Sequence, residues 1–177
     1  IAFRLCLETW QARAAGDELA VVFRTGAGHY GLQGTLSTAR SVDGGRTWSD
    51  PVEVAARGHD VRNPAFGIAD DRWLLAYWQA GVHCYPAGAD GERRWKLQSV
   101  RSADDAPDLF VIDSADRGRT WTAPRPIRSE RLAWTSPFGR IITAPDGTLL
   151  MPAYGPPRDG KEFDAIVLRS RDGGASW

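Results

Sequence analysis

The 177-residue sequence is short of several things at once, and each shortage removes a class of protein. Cysteine occurs only at Cys6 and Cys84, far apart and outside any metal-ligand spacing. A disulfide framework or zinc module is not built this way, and the two are read as unpaired thiols. Neither sign of charge dominates, since 22 Lys and Arg stand against 22 Asp and Glu with no run of one sign. The electrostatic footprint of a nucleic-acid binder is therefore missing. No apolar stretch approaches the roughly 20 residues that span a bilayer, and no leader-like segment is recognisable. The histidines, 3 in all, form no cluster with acidic residues at ligand spacing. Neither a metal nor another cofactor is implied.

What the chain does have is a repeat. Ser41-Val42-Asp43-Gly44-Gly45-Arg46-Thr47-Trp48 returns as Ser114-Ala115-Asp116-Arg117-Gly118-Arg119-Thr120-Trp121 and again as Ser170-Arg171-Asp172-Gly173-Gly174-Ala175-Ser176-Trp177. The shared skeleton is Ser-x-Asp-x-Gly-x-(Thr/Ser)-Trp, and each position has a physical task in a tight hairpin. The carboxylate accepts from amides of its own turn and from the hydroxyl four residues on. Gly45, Gly118 and Gly174 supply the positive φ of a bulged turn. Trp48, Trp121 and Trp177 bury a large ring against a neighbouring sheet.

This pattern resembles the Asp-box of the sialidase (BNR-repeat) superfamily, and the resemblance runs from about Leu19 to Trp177. It implies an all-β fold, a six-bladed β-propeller of four-stranded antiparallel blades. It also implies that Asp43, Asp116 and Asp172 staple turns remote from any catalytic pocket. A blade needs roughly 40 to 50 residues, so the expectation is about three blades of an incomplete ring, near 1–57, 58–130 and 131–177. The remaining blades are then expected in a longer protein, of which this sequence is an internal piece.

Apolar alternation places strands between the boxes. In the first unit they are Ile1 to Trp10, Glu18 to Arg24 and Thr35 to Ser41, with Pro51 to Ala55 leaving the box. In the second they are Ala65 to Ala69, Arg72 to Gln79 and Leu109 to Asp113. In the third they are Ser136 to Ile142, Thr148 to Tyr154 and Asp164 to Arg169. Box spacing locates an insertion. Asp43 to Asp116 is 73 residues and Asp116 to Asp172 is 56, and the excess falls in the polar segment Gly81 to Pro107.

If the box joins strands C and D of a meander, the start of A and the loop from B to C lie on the opposite rim. Arginines occur at three such places: Arg24, Arg62 and Arg140. The planar guanidinium fork suits a carboxylate ligand. His29, Asp60, Gln79 and Tyr154 fall on the same rim, and Trp78, ending a strand there, is a candidate platform for a sugar ring. Arg62-Asn63-Pro64 resembles the family's Arg-Ile-Pro motif with Asn in the middle, and it opens the second visible unit. The resemblance implies three arginines on a sialic acid carboxylate, an Asp as acid/base (Asp60 is the candidate), and a Tyr–Glu nucleophile pair from later blades. Substrate contact is thus assigned to Arg24, His29, Arg62, Trp78 and Arg140.

Two functions follow from this. One is an exo-glycosidase of sialidase type that releases sialic acid or a related acidic sugar from a glycan with retention. The other is a non-catalytic propeller that binds glycans or proteins, since the boxes report the fold and not the chemistry.

Overall fold

The structure, a computed structural model, describes residues 9–13, 17–25, 34–55, 60–80, 82–84, 95–97, 108–160 and 162–177. These residues form consecutive antiparallel meanders. The first is β1 (Thr9–Arg13), β2 (Leu19–Thr25), β3 (Thr35–Ser41) and β4 (Val52–Glu53), hydrogen-bonded in that order. The second begins with β5 (Asp60–Ala69) and β6 (Arg72–Ala80). A small separate hairpin, β7 (Val82–Cys84) with β8 (Trp95–Leu97), follows, before β9 (Leu109–Ser114) and β10 (Arg125–Ile127) complete the sheet. The third sheet contains β11 (Ser136–Pro137), β13 (Ile142–Thr143), β14 (Leu149–Gly155) and β15 (Asp164–Ser170). Between β11 and β13, β12 (Gly139–Arg140) leaves this sheet and pairs parallel with β5 of the second, Gly139 opposite Ala65 and Arg140 opposite Phe66.

The central strand β6 shows why the sheets stack. Its residues alternate between two buried faces, so a period-2 pattern becomes two cores. Trp73, Leu75 and Tyr77 pack with Ala20, Val22 and Leu36 of the first sheet. Leu74 and Ala76 pack with Leu149 and Met151 of the third. Each such large side chain taken from water stabilises the stack by about 1.5–3 kcal/mol.

Two expectations change. The strand expected to end at Trp10 runs on to Arg13 as β1, and residues 1–8 lie outside the described residues. The run Ser136 to Ile142 reads as one strand but is broken into three short pieces. Gly139 takes φ 91, a left-handed turn that diverts the chain toward β5 and leaves Phe138 exposed. Most of the insertion Gly81 to Pro107 lies outside the described residues apart from β7 and β8.

Candidate functional site

The three boxes are built alike. In the first, Asp43 Oδ1 accepts from the Thr47 amide at 2.9 Å and Oδ2 from the Thr47 hydroxyl at 2.6 Å. Ser41 donates its hydroxyl to Asp43 Oδ1 at 2.7 Å and accepts from the Gly45 amide at 2.8 Å. Thr120 and Ser176 take the place of Thr47 at Asp116 and Asp172. In each box the hydroxyl and then the amide four residues on, with the leading Ser, hold the carboxyl well below the ordinary carboxylate value. A carboxylate saturated by its own turn is a staple and has no proton to move at neutral pH.

The boxes also share one side of the sheets. Arg72, at the box end of β6, donates to the Gly173 carbonyl of the third box at 2.8 Å, and Arg125 to Gly174 at 3.3 Å. Arg117 of the second box reaches Glu18 of the first sheet at 3.1 Å. The glycines let this happen: a Cβ on Gly118 would fall 2.4 Å from the Trp73 ring.

At the other end of the strands lies a polar and aromatic cluster. Arg62 stands near the start of β5, and the pairing of β5 with β6 shifts between Arg62 and Ala65, a bulge that includes Asn63 and Pro64. Asn63 sits at φ 50, a backbone position that Asn tolerates better than most residues. From there its amide donates to Ser136 Oγ at 2.8 Å and to Tyr154 Oη at 3.0 Å, tying the second sheet to the third. The Arg62 guanidinium lies 5.5 Å from the centroid of the Trp78 ring, and only 3% of Arg62 is exposed. Trp78 stacks on Trp134 at 4.9 Å and 16°, and its indole donates to Asp108 Oδ2 at 3.4 Å. Tyr154 and Phe163 close against Trp134 edge-on.

The expected site residues fall out unevenly. Arg62 and Tyr154 are brought together through Asn63, and Gln79 is one residue beyond Trp78 with its amide on the Asp108 carbonyl at 2.7 Å. Trp78, expected as an open sugar platform, is instead 6% exposed, with its ring between Arg62 and Trp134. Arg24 is buried and donates Nε to the Val61 carbonyl at 3.0 Å, beside Arg62, with Gly34 packed against its guanidinium. Arg140 is exposed but stands opposite Phe66, part-way along β5 toward the boxes, and not at the rim. His29 and the side chain of Asp60 lie outside the described residues; the backbone of Asp60 opens β5. Asn63, Ser136, Trp134 and Phe163 were not singled out as site residues. Only the Asn that replaces Ile in the motif hinted at the first.

Among the described residues no group of three or more His, Cys, Asp or Glu side chains could hold a metal, and no helix is long and apolar enough to cross a membrane.

Consecutive meanders with Asp-box turns on one side define a partial β-propeller. No family model matches the chain. It is 29% identical over 163 residues to a sialidase of Bacteroides fragilis, the match covering 80% of this chain and 28% of that one. Among solved structures, a Dyadobacter fermentans protein of unknown function superposes with TM-score 0.70 at 19% identity, over 96% of this chain and 52% of that one. Trypanosoma rangeli sialidase in complex with sialic acid superposes with TM-score 0.63 at 13% identity, over 93% of this chain and 28% of that one. The chain is sialidase-related, and its fold matches part of a sialidase β-propeller. It spans less than a third of the length of the Bacteroides relative, at 28%.

Proposed function

We propose that the whole protein is an exo-glycosidase of sialidase type, which releases terminal sialic acid or a related acidic sugar from a glycan with retention. The observation that carries this reading is the setting of Arg62. It stands at the rim opposite the boxes, next to a bulge that Asn63 pins to the neighbouring sheet, with its guanidinium against Trp78. An arginine held this way loses little freedom on meeting a carboxylate, and its dry surroundings weaken screening. A charge-assisted fork of this kind contributes about 1.5–3 kcal/mol to binding.

Asp60, two residues earlier in β5, is the proposed acid/base: it protonates the leaving glycosidic oxygen and later takes a proton from water. The nucleophile is assigned to a Tyr with a neighbouring Glu elsewhere in the ring. A neutral phenol suits an anionic sugar, which would repel the usual carboxylate. The test is to incubate the whole protein with a sialoside carrying a chromogenic leaving group and to follow the sugar by NMR. Release with retention of the anomeric configuration, suppressed in Asp60→Asn, is expected. Saturable binding of the sialoside without release would overturn hydrolysis and leave a glycan-binding propeller.

A further inference from the structure

On the box side, away from Arg62, a cavity of about 250 Å³ opens between the first and second sheets. It lies between the box end of β3 and the second box. Its charged lining is lopsided, with Arg40, Arg117 and Arg119 against Asp50, and Trp73 also lines it. Two features go beyond what the fold requires. Thr38 lines the cavity, is 1% exposed, and its hydroxyl has no hydrogen-bond partner among the described residues. A buried hydroxyl is normally satisfied.

The second feature is Arg117. It takes φ 59 at the position where the first and third boxes have Gly44 and Gly173, at φ 71 and 67. Glycine adopts this conformation freely and arginine does not. Only the second box keeps a strained cation there, at the wall of the cavity. Part of its charge is met by Glu18 at 3.1 Å, and Arg119 donates to the Asp116 carbonyl at 3.1 Å. Arg40 differs. Its backbone is fixed by Ser49, yet among the described residues its guanidinium makes no hydrogen bond or ion pair.

We propose that this cavity is a second binding site, for a carboxylated monosaccharide unit. Arg40 takes the carboxylate as a fork, Arg117 and Arg119 supply the surrounding positive potential, and Thr38 bonds a ring hydroxyl. At about 250 Å³ the cavity is larger than a bare oxyanion needs and falls just below the range of small-molecule sites, which start at about 300 Å³, so its capacity is that of a single sugar ring. The site does not rest on the reading of Arg62, which stands at the other end of the strands.

The test is calorimetric titration of the whole protein with glucuronate, with glucose and with sulfate. Glucuronate is expected to bind saturably, with glucose and sulfate each weaker by about tenfold or more. Arg40→Gln and Arg117→Gly should each weaken glucuronate by about tenfold, and Arg171→Gln, exposed in the third box and outside the cavity lining, should leave this binding unchanged. Arg117→Gly installs the residue of the other two boxes, so a thermal melt separates lost binding from lost folding. The proposal is overturned by an absence of saturable binding, by sulfate binding as tightly as glucuronate (an adventitious ion only), or by equal binding of glucose. It is also overturned if affinity falls with Arg171→Gln but survives Arg40→Gln.

Discussion

Replacing Gly67 with alanine tests the seam between the second and third sheets. Gly67 lies in β5, and a Cβ there would stand 2.1 Å from the Ile141 carbonyl oxygen and 2.9 Å from its carbonyl carbon. These are backbone atoms, so no rotamer change relieves the clash. Ile141 is itself fixed, because its amide donates to the Phe66 carbonyl at 3.0 Å and its side chain is buried beside Leu149. β12 must therefore move off β5. Overpacking of this kind costs about 1–3 kcal/mol, and each strained or lost backbone bond adds about 0.5–1.5 kcal/mol. A total of about 2–4 kcal/mol lowers Tm by roughly 5–15 °C for a cooperative unit of about 150–250 residues. Thermal unfolding followed by circular dichroism reads the shift directly. A Tm within about 1 °C of the unchanged protein would refute the reasoning, since that margin is a fraction of a kcal/mol at this size.

The box carboxylates give the protein a predictable response to acid. Their folded-state pKa values lie below the unfolded value of 3.8, so the unfolded chain takes up protons first as pH falls. Their stabilisation is complete above the ordinary carboxylate range and is lost as pH drops below about 4, and replacing Asp116 with Asn should remove part of that loss. A Tm that stays level from neutral pH down to about 2 would contradict this. Asn63→Ala loses both donors to the third sheet and strains a left-handed residue, whereas Asn63→Gly loses only the donors. Alanine should therefore be the less stable by about 1 kcal/mol, and glycine as the worse of the two in urea titrations would contradict the strain argument.

Much of the fold was legible because it is written locally. The box is a closed set of bonds within eight residues, so its sequence is its structure. β2, β3, β6 and β9 begin and end within about one residue of the expected limits, because apolar alternation and the following box fix both ends. The third A strand was misread because Ser136 to Ile142 looks continuous, and only the parallel pairing of β12 with β5 breaks it. For Arg24, Arg62, Trp78 and Tyr154 the end of the strand was legible, and their contacts were not. Trp78 was correctly placed at the end of its strand, but its partner Trp134 is 56 residues away and no local pattern announces the stack. The same holds for Asn63, whose partners Ser136 and Tyr154 are 73 and 91 residues distant. Arg140 stands away from the rim because the break at Gly139, invisible in the local pattern, shifts it along the sheet to a place opposite Phe66.

The central claim is that Arg62 receives the carboxylate of an acidic sugar at the rim opposite the boxes. Binding of N-acetylneuraminate to the whole protein, measured in the unchanged form and in Arg62→Lys, tests it most directly. Lysine keeps the charge but loses the fork and the flat contact with Trp78, so affinity should fall by about tenfold to a hundredfold while Tm moves little. Equal affinity in the two proteins would contradict the claim and leave Arg62 as a buried strut of the propeller.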